Sequence, residues 1–315
     1  MAMRLSESTL GIDVSKAELV ICDWQSGQFA RIDNQQAAIS AWLDTLHGPV
    51  RIALEATSDY HLEVVAQAHA RAIPVYLLNP RQLAHYRQAI DLRNKTDPQD
   101  AWLLARYLAH EAHALRPFRP ACAKARRLWS LLKRRALLVN TKKQIDQSFS
   151  DIGLSYKALC TEIRKLLYRI DRCMHKLLRE LAWDDDYQRC RSIPGIGPLN
   201  AIALVCVYHR GTFASADAFI AFIGLDIRVR QSGRFQGKPR LSKRGEAEVR
   251  RLLWCAAQPA RNHQPFDDYY QSQLDKGLSK IEAKLILARK LARIAYALLS
   301  KKQPFEQTSN SGIHP

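Results

Sequence analysis

The first 80 residues alternate between short apolar runs and turns, and their order restricts the fold more than any other feature of the chain. Three apolar runs joined by short turns predict a β-meander, and two strands that alternate with helices follow it. The predicted strands are residues 9–14, 17–24, 28–33, 50–56 and 73–78, and the predicted helices are residues 35–46 and 60–72. A meander followed by alternating helices and strands predicts an α/β layout.

Two acidic residues mark the start of a further helix, which continues through residues 101–107. In the segment Asp97-Pro98-Gln99-Asp100, the pattern predicts Asp97 as the N-cap, Pro98 as the first helical residue and Asp100 as the third. Residues three apart share one face of a helix, so the two carboxylates would lie on the same side. One interpretation is that both only cap the helix and offset its dipole.

Two more carboxylates lie at predicted strand ends of the same domain. Asp13 interrupts the apolar run Gly-Ile-Asp-Val, and Glu55 follows the run that ends at Leu54. Each is compatible with a solvated surface acid. The element order, however, is similar to that of ribonuclease H-like nucleases, in which acids on the first strand, the fourth strand and a late helix meet at one edge. This resemblance implies that the four acids converge as a site for Mg²⁺ or Mn²⁺.

The charge of the chain is divided unevenly. The net charge is +18, but residues 1–115 contain 10 Lys/Arg and 13 Asp/Glu, so this segment carries −3 and the remainder +21. A strongly basic body predicts a polyanionic partner, either a nucleic acid or an anionic membrane surface. No apolar run approaches the length of a membrane span, and no N-terminal segment resembles a signal peptide. Nucleic acid is therefore the predicted partner, with no membrane.

The seven cysteines are scattered, odd in number and without a C-x-x-C pair. This pattern argues against a disulfide framework and against a zinc site. It predicts a reduced, cytoplasmic protein, and the basic charge predicts association with the nucleoid.

A basic segment, residues 87–95, precedes the helix that begins near Asp97. It contains Arg93 and Lys95. Beside the acids, this segment would suit a phosphate backbone. A solvated loop explains it equally well.

Residues 121–182 form a long, basic helical region with 15 Lys/Arg against 5 Asp/Glu, and it divides near residues 151–153. Its second part has a heptad spacing of apolar residues at Ile163, Leu167, Ile170, Met174, Leu177 and Leu181. Such a seam favours either a coiled coil between subunits or a helical hairpin within one chain. The basic residues off the seam would suit nucleic acid, or form a solvated face.

Glycines at 195 and 197 open the C-terminal part of the chain, in the segment Ile193-Pro-Gly-Ile-Gly-Pro198 before an apolar helix, residues 199–208. The spacing predicts a helix-hairpin-helix element, whose backbone N–H groups can hold a phosphate. An ordinary turn between helices is the alternative.

A glycine-rich basic loop follows, and residues 228–244 contain seven basic residues and no acid. Ser232-Gly233 lies in this loop, and Ser242 precedes a helix that runs through Val249 and Leu253. The loop suits a phosphodiester. A serine here would be a nucleophile, a hydrogen-bond donor or a bystander. Ser242 is also a predicted N-cap.

Several sequence blocks occur together and in order over nearly the whole chain. They are Gly-Ile-Asp-Val-Ser-Lys (11–16), Leu-Glu-Ala-Thr (54–57), Asn-Pro (79–80), Lys-Thr-Asp-Pro-Gln-Asp-Ala (95–101), Ile-Pro-Gly-Ile-Gly (193–197), Phe-Ile-Gly-Leu (222–225), Ser-Gly (232–233) and Leu-Ser-Lys (241–243). In these blocks the chain resembles the DEDD transposases of the insertion sequence 110 family, the 110/1111 type that includes Piv-like recombinases.

This resemblance implies a domain order. A RuvC-like (ribonuclease H-like) DEDD catalytic domain would occupy residues 1–115, and a basic helical coiled-coil arm residues 116–190. A mostly helical C-terminal transposase domain with a serine would occupy residues 191–305, followed by a disordered tail, residues 306–315. The resemblance also implies a tetramer that works with a non-coding bridge RNA, which pairs with donor and target DNA.

The same resemblance implies roles for individual residues. Asp13, Glu55, Asp97 and Asp100 would bind the metal, and Ser232 would be the nucleophile. The segment from Ser232 to the Leu-Ser-Lys block is about one residue shorter than in the family pattern, which leaves Ser242 as the alternative nucleophile.

The resulting hypothesis is a magnesium-dependent DNA recombinase. Metal bound by the four acids would polarise the scissile phosphate, and Ser232 would attack phosphorus to give a phosphoserine link that conserves bond energy for rejoining. The predicted nucleic-acid-binding residues are Arg93, Lys95, Arg228, Arg230, Arg234, Lys238, Arg240, Lys243 and Arg244. The predicted partners are donor and target DNA, bridge RNA and a second copy of the chain, as a dimer or tetramer through the arm.

Three alternatives remain open from the sequence. A DNA invertase would use the same chemistry with a different outcome. A RuvC-like junction nuclease would activate water at the same acids and leave Ser232 a bystander. A non-catalytic basic scaffold would carry a degenerate nuclease domain. The sequence also leaves open whether Ser232 meets the acids within one subunit or across two.

Overall fold

The computed structural model describes residues 8–55, 59–229, 231–232, 235–237 and 239–306. The chain forms two compact units, which divide after Pro120.

The first unit is built on a five-stranded sheet. The strands are β1 (Ser8–Val14), β2 (Glu18–Asp23), β3 (Phe29–Asp33), β4 (Val50–Glu55) and β5 (Val75–Leu78), and they lie in the order β3-β2-β1-β4-β5. The first three strands are antiparallel, whereas β4 and β5 run parallel to β1. All five strands predicted from the apolar runs are confirmed. Four of them bury apolar residues in the core, whereas the edge strand β3 is mostly exposed.

Four helices accompany this sheet in the described residues. They are α1 (Gln36–Asp44), α2 (Leu62–Ala70), α3 (Pro80–Ala89) and α4 (Asp97–Glu111), and a short 3₁₀-helix (Ala112–Ala114) follows α4. Both helices predicted before residue 73 are confirmed. The sequence analysis did not predict α3, although Asn79-Pro80 is a helix-start signal. The Asn79 side chain accepts a hydrogen bond from the N–H of Arg81 at 2.9 Å.

The predicted cap of α4 was wrong by one residue. Thr96 has extended backbone (φ −139°, ψ 154°) and is the N-cap, so Asp97 is the first helical residue. Pro98 and Asp100 are therefore the second and fourth. Both acids still lie in the first turn, where the positive end of the helix dipole favours carboxylates.

Gly11 of β1 allows α4 to lie directly on the sheet. A Cβ on Gly11 would be 2.0 Å from the carbonyl oxygen of Ala101 and 2.3 Å from the backbone nitrogen of Ala105. Ala101 and Ala105 are themselves fully buried. This close approach brings the first turn of α4 to the carboxyl end of β1.

The second unit is mostly helical. Its helices are α5 (Ala123–Ser148), α6 (Lys157–Glu180), α7 (Asp184–Arg191), α8 (Pro198–Arg210), α9 (Ala216–Ile223), α10 (Ala247–Ala260), α11 (Phe266–Asp275) and α12 (Lys280–Lys301). One hydrophobic core joins residues of α5 and α6 to α8, α10 and α12, and it includes Leu128, Met174 and Leu291. Ser279 and Glu282 form a capping box at the start of α12.

The apolar seam of α6 is buried within this unit. Ile163, Ile170, Met174 and Leu177 are all buried, and α6 packs against α5 as an antiparallel hairpin. Arg135 of α5 pairs with Asp171 of α6 at 2.6 Å and fixes the register between them. Of the two interpretations of the heptad pattern, the intrachain hairpin therefore describes this seam.

The turn between α7 and α8 has the order of a helix-hairpin-helix element. Gly195 has φ +87°, a conformation that favours glycine, and a Cβ there would lie 2.7 Å from the carbonyl oxygen of Ala256. Its role in this structure is close packing on α10.

No helix in the described part of the chain is both long enough and apolar enough to cross a bilayer.

Candidate functional site

Two of the predicted acids lie side by side at the carboxyl ends of neighbouring parallel strands. Ile12 of β1 is paired with Leu54 of β4, so Asp13 and Glu55 are the next residues in the same register. Asp13 is half-buried, as is Glu55. The strands are about 4.8 Å apart, which places the two backbones close together.

The other two predicted acids come to this edge on α4. Asp97 is exposed and Asp100 is half-buried. Burial raises the pKa of Asp13 to about 6, and repulsion from Asp100, Asp97 and Glu55 adds to the shift, while the N–H of Val14 opposes it. The structure thus brings Asp13, Glu55, Asp97 and Asp100 together electrostatically, and we call these four residues the acid cluster.

Two cations face the acid cluster. Arg87 of α3 pairs with the carboxylate of Asp100 and also donates to the carbonyl oxygen of Asn94 at 2.7 Å. Burial raises the pKa of Glu55, repulsion from Asp100 adds to it, and the positive charges of Lys95 and Arg87 oppose it. Arg87 thereby connects α3 and the following loop to the first turn of α4.

The acid cluster fits a divalent cation by the chemistry of its donors. Among the described residues, no three His, Cys, Asp or Glu side chains are arranged closely enough to hold an ion as they stand. The donors are all carboxylates, which hard cations such as Mg²⁺ prefer. The mutual repulsion that raises the pKa of Asp13 is also the kind of strain that a bound dication offsets.

Ser232 lies in a β-hairpin that consists of two successive pairs of short strands. Strands β6 (Ile227–Arg228) and β9 (Arg240–Leu241) pair at its base, and β7 (Gln231–Ser232) and β8 (Phe235–Gln236) pair nearer the tip. Ser232 is opposite Phe235 and is exposed. We call residues 227–241 the serine hairpin. Gly233 lies outside the described residues.

Ser242 is fixed at the base of the serine hairpin by Asp226. The Ser242 hydroxyl donates to the Asp226 carboxylate, and its N–H donates to the Asp226 carbonyl oxygen at 2.9 Å. The Ser242 oxygen also accepts from the N–H of Arg244 at 3.3 Å. The predicted N-cap role of Ser242 was wrong, because α10 begins at Ala247 and Glu246 is its N-cap.

The backbone beside this contact is also held. Lys243 has φ +54° and its N–H donates to the carbonyl oxygen of Gly224 at 3.2 Å. Arg250 donates to the carbonyl oxygens of Ile223 at 3.0 Å and Gly245 at 2.6 Å. The serine hairpin therefore projects from a rigid base.

The predicted nucleic-acid-binding residues fall into three groups. Arg93 and Lys95 lie in the loop before α4, where both are exposed and Arg93 pairs with Asp91 at 3.2 Å. Arg228, Arg240, Lys243 and Arg244 are exposed on or beside the serine hairpin. Arg230, Arg234 and Lys238 lie outside the described residues.

Two functional contacts were not predicted from the sequence. Arg87 was included in a basic segment but not paired with Asp100, and Asp226 was not considered. The helix-start signal at Asn79-Pro80 would have placed Arg87 on α3. Asp226 is the acid just before the basic loop, and that position was the only sequence signal that could have indicated it.

Two family models match most of the chain. A transposase model of the DEDD IS110 type matches residues 10–151, and a transposase model of the IS116/IS110/IS902 family matches residues 187–271. The first match contains the acid cluster and the second contains Ser232 and Ser242.

The chain is also similar in sequence to proteins that are named as transposases or as gene-inverting proteins. The chain is 26% identical to the pilin gene-inverting protein of Moraxella lacunata in an alignment of 330 positions, gaps included, which covers 96% of this chain and 99% of that protein. It is 27% identical to the transposase for insertion sequence element IS1111A of Coxiella burnetii over 267 residues, 74% of this chain and 70% of that protein. It is 30% identical to the transposase for IS1328 of Yersinia enterocolitica over 148 residues, 45% and 44% of the two chains.

These matches show that the chain is a transposase, an enzyme that cleaves and rejoins DNA. Within that class, the chain belongs to the IS110 family of DEDD transposases.

Proposed function

We propose that this transposase cleaves DNA through Ser232 as nucleophile, with the acid cluster holding one or two Mg²⁺ ions. The first unit would be a RuvC-like catalytic domain, which the strand order β3-β2-β1-β4-β5 supports. The single observation that carries the proposal is the position of an exposed serine near the tip of a basic hairpin whose base is rigid.

The acid cluster would bind the metal through Asp13, Glu55, Asp97 and Asp100. When bound, Mg²⁺ would polarise the scissile phosphate and offset its charge. The chain's own contribution is to place four carboxylates at one edge. Burial raises the pKa of Glu55, and the charges of Lys95 and Arg87 oppose that shift.

Ser232 suits the nucleophile better than Ser242. Ser232 is exposed, whereas the Ser242 hydroxyl donates to Asp226 and its oxygen accepts from Arg244. A hydroxyl committed to two local contacts would have to leave both before it attacked phosphorus. When Ser232 attacks, its hydroxyl loses a proton and the serine O–P bond forms, while the bond to the departing DNA oxygen breaks and that oxygen takes up a proton. Rejoining reverses these changes.

Exposed cations of the serine hairpin would position the DNA backbone. Arg228 and Arg240 are paired across β6 and β9, so their side chains emerge at one level of the hairpin. Contacts of Lys and Arg with phosphates fix register without reading sequence. Lys243 and Arg244 at the base, and Arg93 and Lys95 in the first unit, would do the same.

An assembly of several copies is part of the proposal. The seam of α6 is used within the chain, but the distal half of the α5–α6 hairpin exposes Leu137 (64%), Leu159 (50%) and Tyr168 (64%). Leu159 and Tyr168 are nine residues apart and lie on opposite sides of α6, so these side chains are exposed on more than one face of the hairpin. We propose a dimer or tetramer through this part of the arm, working with a bridge RNA that selects donor and target DNA.

The test is a denaturing gel with purified full-length protein, Mg²⁺, labelled DNA from the ends of the segment that encodes the chain, and RNA transcribed from its flank. The proposal predicts a shifted, protease-sensitive DNA band that is lost in both Ser232→Ala and Asp97→Ala. Ser242→Thr, which keeps the hydroxyl, is the matched control and is expected to retain the band. Free nicked DNA that persists in Ser232→Ala and disappears in Asp97→Ala would instead identify a nuclease that uses water.

A further inference from the structure

A stripe of basic side chains runs along the outer face of α6, away from both the acid cluster and the serine hairpin in sequence. It consists of Lys165, Arg169, Arg172, Lys176 and Arg179, which we call the arm stripe, and all five are exposed. Their spacing of 4, 3, 4 and 3 residues keeps them on one side of the helix. At 100° per residue, this side lies opposite the buried seam of Ile170, Met174 and Leu177.

The positive charge of the arm stripe is only partly balanced. Lys165 pairs with Glu162 at 2.7 Å and Lys176 with Glu180 at 3.8 Å. Within the described residues, Arg169, Arg172 and Arg179 have no acidic partner within 4.0 Å. Of the other contacts made by acids of α6, Asp171 pairs with Arg135 at 2.6 Å, and Glu180 is shared between Lys176 and Lys124, the latter at 3.1 Å.

The same side chains lie next to one another on the surface of the helix. Arg169, Arg172, Lys176 and Arg179 surround Cys173 in a shallow, open depression. The guanidinium of Arg172 also lies 6.0 Å from the ring centroid of Tyr168, which extends the exposed surface toward the distal end of the hairpin.

The dimensions of the arm stripe match a length of duplex backbone. Fourteen residues of α-helix span about 21 Å from Lys165 to Arg179. One strand of B-DNA carries about six phosphates over that distance, at 3.4 Å per phosphate. Because one turn of B-DNA takes about 34 Å, that strand winds through more than half a turn over this length, and the straight arm stripe would contact only the phosphates that face it.

We propose that the arm stripe is a sequence-independent binding surface for double-stranded DNA. It would add contacts with the DNA backbone to those of the residues assigned to chemistry. The family acts on DNA, which makes DNA the partner that this surface is expected to meet. Nucleotide sequence would not matter, since Lys and Arg contacts with phosphates carry no base readout.

The test compares two charge-matched triple variants of the full-length chain. The stripe variant carries Arg169→Gln, Arg172→Gln and Arg179→Gln. The control carries Lys276→Gln, Lys280→Gln and Lys301→Gln, three exposed lysines of the second unit for which the structure gives no ion pair. Binding to a labelled 40-base-pair duplex of arbitrary sequence is measured by fluorescence anisotropy at several salt concentrations, without Mg²⁺ so that no cleavage occurs.

The proposal predicts that the stripe variant binds at least about tenfold more weakly near 100 mM salt, and that its slope of log K against log salt is shallower by about 2 to 3. The control is expected to change far less. Equal slopes for the two variants would overturn the proposal. A loss confined to an RNA duplex of equal length would overturn the assignment to DNA. A change of mass in sedimentation for the stripe variant alone would identify a protein interface and also overturn it.

DNA binding is measured without Mg²⁺, so no cleavage takes place. The result therefore does not depend on whether Ser232 is the nucleophile. A stripe variant that loses DNA affinity but still forms the covalent adduct at saturating protein would support both proposals. Circular dichroism and melting temperature should be unchanged, because all three substituted side chains are exposed.

Discussion

Arg87 and Asp100 form an ion pair within the acid cluster, and Arg87 also holds the carbonyl oxygen of Asn94 at 2.7 Å. The pair is largely shielded from solvent, with side-chain exposures of 18% and 19%. A guanidinium that neutralises one of four adjacent carboxylates stabilises the cluster in the absence of metal and competes with any cation that would bind there.

Arg87→Ala is therefore expected to have opposite effects on stability and on metal affinity. Without divalent ions, removal of the counter-charge should lower the melting temperature by several degrees. With Mg²⁺ titrated in, the variant should show a larger gain in melting temperature than the wild type. Arg81→Ala, on the same helix but exposed, is the control. Equal responses to Mg²⁺ in all three proteins would mean that Arg87 does not compete with a metal at Asp100.

The pKa of Asp13 gives a prediction with a definite sign. Its folded value of about 6 lies above the ordinary 3.8, so between these pH values the folded state binds more protons than the unfolded state. The contribution of Asp13 to folding stability is therefore fully present below pH 3.8. It is lost as the pH rises to about 6, and above pH 6 the ionised carboxylate destabilises the fold. Asp13→Asn should raise the metal-free melting temperature by about 2–4 °C at pH 7.5.

The advantage of Asp13→Asn should shrink as the pH falls toward 4, because the wild-type carboxyl is then protonated as well. Thermal melts of both proteins over this range, without metal, provide the measurement. A gain that is the same at pH 4 and pH 7.5 would show that ionisation of the buried Asp13 carboxyl is not its cause.

The packing of α4 on β1 at Gly11 can be tested by substitution. In Gly11→Ala, the added Cβ would lie 2.0 Å from the carbonyl oxygen of Ala101, a backbone atom that no rotamer change can move. We expect a loss of at least about 2 kcal/mol in the free energy of unfolding, measured with urea. Gly197→Ala is the control, since its Cβ would meet only Asn200 Nδ2 at 4.0 Å. A tolerated Gly11→Ala would contradict the close packing of α4 on β1.

We expect the contact between Asp226 and Ser242 to hold the serine hairpin in position, and we do not expect Ser242 to be the nucleophile. Ser242→Ala removes a charge-assisted hydrogen bond, and we expect adduct formation to slow by about tenfold or more. Ser242→Thr should restore most of the rate. The measurement is the single-turnover rate of adduct formation at saturating DNA. Complete loss of adduct in Ser242→Ala, with Ser232→Ala still active, would reverse the two assignments.

The sequence predicted the sheet of the first unit because its signals are local. Each strand is an apolar run bounded by turn residues, and the order of the runs restricts the sheet to few arrangements. The start of α4 was predicted within one residue for the same reason, since an acidic N-terminus with proline is a local signal. The convergence of Asp13 and Glu55 was implied by family resemblance, and their register on β1 and β4 agrees with it.

Contacts that depend on tertiary packing were not predictable in this way. Arg87 and Asp100 are 13 residues apart, and only the placement of α3 beside α4 brings them together. Asp226 and Ser242 meet because β6 pairs with β9, and two-residue strands leave no periodic pattern. The seam of α6 has the same heptad spacing whether it packs in one chain or between two, so the sequence left both possibilities open.

We expect Ser232 to become covalently joined to DNA, and mass spectrometry of the adduct can detect this bond. The adduct formed by the wild-type protein with Mg²⁺ is digested with nuclease and protease, and the modified peptide is sequenced by mass spectrometry. We predict a nucleotide attached through phosphate to Ser232, in a peptide that is unmodified when Mg²⁺ is omitted. A nucleotide on Ser242, or the absence of any modified peptide while DNA is still cut, would contradict the account.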